Sequence, residues 1–525
     1  TVPVMAKQSV YKVNTLSGTE IHQRAAVSLN DVLNYEMNQF VSNDNILGSS
    51  TNISGIGGQN VKILLNGIPV MGRENGNIDL GQLNLNNIKR VEMIQGPMSV
   101  IYGSNALGGV INLITTTPRK KYTASLNTYC ESIGKYNING SAGFHGREHE
   151  WQLSLARNFF AGWSPNDSVD RFQLWKPKTQ YTGDLQYTWS HKRWKWNSYT
   201  SYLHEKITNK GVPVINPYEG YAFDEYYRTQ RLIEAVTTQY KPNENDQFVF
   251  TNSYQLYYRI KNRFKKNLVT LTEFPTSSVG DQDTSRFTDI NLRGTYSTTR
   301  IKKIDMLLGY EYAWEKGNSY KLADQIQSMQ EGAVFGSATI KPGRLQMQPS
   351  LRYTYHSRYH SNLTPAVHAR YEFGEHTQLR ASYARGFRAP TLKELYLQFI
   401  DQNHTILGNP DLKPEKGDHV ELGLDHQKNI GKWVTSYSLN AYYNAIHDLI
   451  ALAVFNNHSV LRQYANLDHY RNRVLNLKAS VQYEGLTCSA GAGEIFVEKT
   501  DVTPAHQITE CTGSVSYRFR RWNTM

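Results

Sequence analysis

From about residue 121 the chain alternates polar and apolar positions in long runs, each closed by a turn. In WVTSYSLNAYYN, Trp433, Tyr437, Leu439, Ala441 and Tyr443 share one face. Ser436, Ser438, Asn440, Tyr442 and Asn444 share the other. In RVLNLKASVQY, Leu475, Leu477, Ala479, Val481 and Tyr483 oppose Asn476, Lys478, Ser480 and Gln482. A period of two over such a length is a strand with one apolar and one polar face. Strands of soluble domains run about 5–6 residues. Strands of about 9–11 residues, apolar outward and polar inward with aromatic girdles, are those that cross a bilayer. Roughly 18 such segments follow residue 121, and they predict a membrane β-barrel. A β-propeller would repeat every 40–50 residues or so, and no such repeat is present.

Residues 1–118 follow a different grammar and predict a compact α+β domain. TEIHQRAAVSLNDVLNY places Ile21, Ala25, Leu29, Val32 and Leu33 at helical spacing. Ser28 suits an N-cap, with Asp31 as the acidic partner of a capping box. VKILLNGIPV reads as a strand entering an Asn-Gly turn, and LNLNNIKRVEMIQG as a turn or short helix feeding a strand. A wide barrel needs its lumen plugged, and a domain of this size fits that role.

Composition agrees with a membrane wall. The 525 residues include 35 Tyr, 18 Phe and 9 Trp at a mean hydropathy of −0.56. Rings with one polar edge settle at membrane–water boundaries. No apolar run is long enough for a transmembrane helix, and TVPVMAKQSV is not an intact signal peptide. The net charge is +12, but the cations are scattered singly, which argues against a nucleic-acid reader. Cys130, Cys488 and Cys511 form no metal-ligand pattern; Cys488 and Cys511 could lie on neighbouring strands, but isolated thiols are the expectation. There is no GxSxG and no Ser/His constellation, so an enzyme is not expected.

The glycines of IKRVEMIQGPMSVIYGSNALGGVINLITTTP invite a phosphate-loop reading, yet SNALGGV lacks the required GK[ST]. They read instead as turns at Gly96-Pro97 and Tyr102-Gly103, and as close backbone approaches at Gly108 and Gly109. This segment, with LLNGIPV and IDL before it, resembles the plug domain of TonB-dependent outer-membrane receptors. NLTPAVHARY, LRASYARGFRAPTLKELY and GNPDLKPEK resemble that family's FRAP and NPxL boxes, so the likeness covers essentially the whole chain. It implies a barrel of about 22 antiparallel strands over residues 119–525 and a plug over 1–118. On that count some C-terminal strands are missing, and RFRRWNTM lacks the family's closing aromatic. Arg90 and Glu92 are expected in ion pairs of the plug, and Arg388, Pro390, Asn409 and Pro410 in a structural role.

The resemblance further implies TonB-driven import across the bacterial outer membrane. The TonB-contact segment would be Thr1, Val2, Pro3 and Val4, through strand addition. Cargo is expected at the plug apex, with Asn45, Arg73, Glu74 and Asn75 on apical loops as candidate contacts. Haem receptors of the family carry an axial histidine between the two boxes, and His404 lies there. No histidine occupies residues 42–80, which counts against haem. The cargo expectation is therefore haem or a ferric siderophore, with cobalamin as the alternative. A surface lipoprotein partner and contact with outer-membrane lipid complete it. His447 is expected to be structural. A passive porin or adhesion barrel would lack a folded plug.

Overall fold

The computed structural model describes residues 9–74, 77–165, 171–278, 280–400, 405–454, 461–500 and 504–519. The N-terminal region is built on a sheet in the order Asn14–Ser17, Ile88–Gln95, Gly109–Thr115, Val61–Leu65, Ile68–Pro69. Gly109–Thr115 lies parallel to Val61–Leu65 and antiparallel to Ile88–Gln95. Asn66 and Gly67 both take positive φ, and form the turn that the Asn-Gly pair predicts. A second sheet, Gln39–Asp44, Gly48–Ile53 and Ile56–Gly57, packs beside it. Leu29, Val32, Leu33, Leu80, Val91 and Ile111 are the buried centre of this domain.

The helical spacing of residues 19–35 resolves into two short helices, Gly18–Gln23 and Leu29–Leu33. Between them Leu85 N donates to Val27 O at 2.9 Å, Leu29 N donates to Leu83 O at 2.9 Å, and Ala25 takes φ 50°. Pairing with the 83–85 segment thus overrides the local helical preference. Ser28 caps the second helix as expected, its N–H donating to Asp31 Oδ2 at 2.8 Å.

The next sheet has 22 members from Tyr122–Glu131 to His506–Tyr517, antiparallel throughout except where Thr405–Leu407 lies parallel to Leu461–Tyr483. Four of its members, Val214–Ile215, Glu273–Pro275, Gln398–Ile400 and Thr405–Leu407, are short pieces in loops, which leaves 18 long strands. Among the described residues no ladder joins the first strand to the last. Leu422, Leu439, Leu475 and Leu477 face outward, while Asn440, Asn444, Asn472 and Asn476 are buried on the inner face. Trp194, Tyr240, Phe248 and Tyr296 stand side by side across four strands, with ring centroids 4.3, 6.4 and 4.8 Å apart. This row is an aromatic girdle.

The two ends of the wall differ. At the girdle end the strands reverse in tight turns, such as Lys192–Arg193, Lys302–Lys303 and Gly431–Lys432. At the other end the links include 161–177, 268–281 and 389–414. Short turns mark the periplasmic end of such barrels and long loops the outer end. Gly220–Tyr240 and Asp246–Asn267 have 21 and 22 residues, about twice what the bilayer needs, so they project beyond it on the long-loop side.

Candidate functional site

The mixed domain touches the inner wall mainly through polar groups. Tyr442 OH donates to Gln95 Oε1 at 2.8 Å and accepts from Asn38 Nδ2 at 2.9 Å and from Asn476 Nδ2. Gln82 Nε2 donates to Glu205 at 2.8 Å, and Arg231 donates to Gln82 Oε1 at 2.6 Å. Gly96, at φ 79°, passes so close to the wall that a Cβ there would lie 2.5 Å from His419 Nε2. Nearer the tight-turn end, Lys12 Nζ donates to Ser438 Oγ at 2.6 Å, and Tyr11 meets the His368 ring edge-on at 5.6 Å. Burial, with the Glu92 charge nearby, pushes the Tyr11 hydroxyl up to about 12.

On the long-loop side of this seam lies a cavity of about 160 Å³. The mixed domain contributes Lys62, Met71 and Gly72; the wall contributes Asp289, Glu311, Glu331 and His356; residues 389–393 close one side. Its charges are held in a network. Arg352, 1% exposed, donates to Glu311 Oε2 at 3.1 Å and to Glu331 Oε1 at 3.3 Å. Arg293 bonds Glu311 Oε2 at 3.0 Å and Ile101 O at 2.6 Å. Lys62 Nζ donates to Tyr102 O at 2.5 Å and Ser104 O at 3.3 Å. Burial holds the Lys62 ammonium below the usual lysine range, with Glu311 and Glu331 pulling the other way. Lys62 and Arg293 therefore hold the backbone carbonyls of Ile101, Tyr102 and Ser104.

The segment following strand Thr377–Arg388 is fixed. Arg388 bonds Glu415 through Nε at 2.8 Å and Glu394 Oε2 through a terminal nitrogen at 2.8 Å, with all three buried. Glu394 also belongs to the capping box of helix Leu392–Tyr396, whose N-cap is Thr391. Asn409 N donates to Glu394 O at 2.8 Å, and Asn409 Nδ2 to Tyr464 O at 3.1 Å. Pro410 O accepts from Arg358 at 2.5 Å. Residues 389–400 and 405–414 thus form a strap whose start, including Pro390, lines the cavity.

The residues singled out from sequence are dispersed. Asn45 sits in the turn between Gln39–Asp44 and Gly48–Ile53, next to Ile46, whose carbonyl accepts from Arg259 at 2.9 Å. Arg73 and Glu74 pair as a short strand with Asn77–Ile78, directly after Gly72. Thr1, Val2, Pro3, Val4, Asn75 and His404 lie outside the described residues. Arg90 and Glu92 pair with each other at 2.7 Å. Gly103 takes φ 81° after helix Ser99–Tyr102, and a Cβ on Gly109 would lie 2.4 Å from Ile94 O. Gly108 lies against Ile56, and Pro97 against Gly386. His447 is exposed on strand Trp433–Val454, and all three cysteines are free. Glu311, Glu331, Arg352 and His356 were missed, because every inward polar position of an alternating strand looks alike in sequence. Lys62 was missed too, although a lone cation within the apolar run VKILL is a signal that could have found it.

A domain with its own core, seated by polar contacts inside a long-stranded wall whose outer face is apolar, defines a plugged membrane β-barrel. The family described as "TonB dependent receptor-like, beta-barrel" matches residues 134–523, and the "TonB-dependent Receptor Plug Domain" matches residues 6–110. The chain belongs to the TonB-dependent receptors. It is 23% identical over 459 residues to the vitamin B12 transporter BtuB of Photobacterium profundum, covering 85% of this chain and 69% of that one. Identity to the Vibrio vulnificus BtuB is 24% over 455 residues, covering 84% and 68%. Among solved structures, the siderophore receptor PirA of Pseudomonas aeruginosa superposes with a TM-score of 0.70 at 18% identity, covering 96% and 91% of the two chains. The FrpB iron transporter of Neisseria meningitidis gives 0.74 at 14% identity, covering 97% and 86%.

Proposed function

We propose that this chain is an importer in the bacterial outer membrane that draws on TonB to bring in a scarce metal-bearing nutrient, either haem or a ferric siderophore. Residues 1–118 act as the plug and 119–525 as the barrel. The observation that carries the reading is the cavity between plug and wall on the long-loop side, where cargo arriving from outside first meets the plug. Cargo enters beside Lys62, Met71 and the strap at 389–393, and the network through Arg293 and Arg352 joins that point to the 98–108 segment. The outer membrane has no nucleotide supply, so the work of moving the plug comes from TonB, through strand addition at residues 1–4. His404, in the sequence between the two boxes, is the candidate axial ligand for haem.

Cobalamin is the second reading, favoured by the vitamin B12 transporters among the sequence relatives. Titrating the purified receptor separately with haemin, a ferric catecholate and cyanocobalamin, with tryptophan fluorescence and visible absorption as readouts, decides among them. A Soret shift saturating at one equivalent and lost in His404→Ala would establish haem. Saturable quenching by the catecholate alone selects the siderophore, and by cyanocobalamin alone the second reading. No saturable response to any of the three overturns the reading.

A further inference from the structure

The outer face of the wall carries cations just above its apolar surface on the long-loop side. Arg473 and Arg471, with side chains 70% and 41% exposed, share the single carboxylate of Glu498 at 3.0 and 3.7 Å. That trio keeps a net positive charge. Both arginines lie on the same strand face as Leu475 and Leu477, which are 50% and 52% exposed. Two strands away, exposed Lys416 has no carboxylate partner among the described residues.

Directly below the arginines the same face holds a groove of about 1090 Å³. Leu422, Ala441 and Leu475 stand in one row across three strands, so the small Ala441 leaves a slot between two leucines. Tyr443, Arg473 and Phe496 form the next row and bound the slot at the height of the cations.

A wall that only faced lipid tails would need neither the slot nor the charge. Cations at the bilayer surface attract anionic headgroups, and guanidinium groups pair with phosphate through parallel hydrogen bonds. By register Lys416 stands level with His469, two strands across and two residues along from Arg471, roughly 12 Å at the usual strand spacing and rise; Asp418, between them on that face, is held by Arg385 at 3.1 Å. That separation suits a headgroup with two phosphates better than one with a single phosphate. We propose that this surface binds a diphosphorylated, multiply acylated glycolipid of the outer leaflet, of the lipid A type. Its phosphates meet Arg471, Arg473 and Lys416, and one acyl chain fills the slot over Ala441. The assignment rests on the membrane orientation in the proposed function.

The full chain in detergent, without cargo or TonB, is titrated with diphosphorylated lipid A, its dephosphorylated form and phosphatidylglycerol, and bound lipid is read by native mass spectrometry. One equivalent of diphosphorylated lipid A should be retained. R471A/R473A should weaken that binding roughly tenfold or more. Ala441→Trp, which fills the slot and spares the cations, should weaken it too. Lys416→Ala serves as a second charge variant if the double variant does not fold. Unchanged binding by the charge variants, or equal retention of the dephosphorylated lipid, overturns the proposal; phosphatidylglycerol bound as tightly reassigns the surface to phospholipid and also overturns it. Failure of the cargo titrations leaves this proposal standing. Labelling of a cysteine placed in loop 268–281 from outside the cell checks the shared orientation, and labelling only from the periplasmic side would overturn it.

Discussion

The plug and the barrel wall solve the hydrophobic problem in opposite directions. In the plug, Leu29, Val32, Leu33 and Leu80 are buried at the centre and polar groups face out. In the wall, Leu422, Leu439, Leu475 and Leu477 face out, and Asn440, Asn444, Asn472 and Asn476 are buried inside. The physical rule is the same and the solvents differ: water surrounds the first, lipid the second. The two surfaces that meet in the lumen are therefore both polar. They join through hydrogen bonds such as Tyr442–Gln95 and Arg231–Gln82. Such a seam is specific in register, yet each of its bonds can be exchanged for water when the plug moves.

The largest expected effect lies where the wall departs from this pattern and buries a charge cluster. Arg388→Met leaves Glu394 and Glu415 buried without their cation, and should cost roughly 3–5 kcal/mol. Thermal unfolding should show that loss, and limited trypsin digestion should now cut within 389–414. If the strap stays protected, the cluster does not hold it.

Substitution of leucine tests the inversion directly. Leu33→Ala opens a cavity in the plug and should cost about 2–5 kcal/mol, read as faster proteolysis of the plug. Leu477→Ala on the outer face should cost well under about 1 kcal/mol in a bilayer, because lipid fills the space. Equal costs would erase the contrast between the two regions. A smaller effect, about 1–3 kcal/mol, is expected from Tyr442→Phe, which leaves Gln95, Asn38 and Asn476 short of a partner. Planar-bilayer recordings should show the variant leaking ions more often than the parent, with the barrel's melting unchanged.

The smallest effect is a pH response at the plug's entry. The buried Tyr11 hydroxyl has its pKa raised from 10.0 to about 12. The folded state therefore holds that proton more tightly. The stability it contributes is present below pH 10 and is lost as pH rises towards about 12. A thiol probe on Ser9→Cys should react faster across that window, and Tyr11→Phe should remove the step. A step that persists in Tyr11→Phe belongs to another group.

Much of this was legible in sequence. Period-two alternation marked the strands, the Asn66-Gly67 turn appears where it was read, and Gly96 and Gly103 take the positive φ that suits glycine. What failed to show follows from tertiary structure. The Ala25 helix breaks because Val27 and Leu29 pair with residues 83–85, which no local window contains. The cavity was invisible because Glu311, Glu331, Arg352 and His356 come from separate strands of the wall, each an ordinary inward polar position. Asn45 falls in a turn of the plug and Arg73 and Glu74 in a short strand, but the cavity is lined instead by the neighbouring Met71 and Gly72.

The central claim is energised import through a plugged wall. The most direct test measures accumulation of labelled cargo in cells expressing this chain, with and without TonB, alongside binding at the surface of the same cells. The account predicts equal binding in both strains and accumulation only where TonB is present. Equal accumulation in the two strains would contradict it, and would make the chain a passive pore.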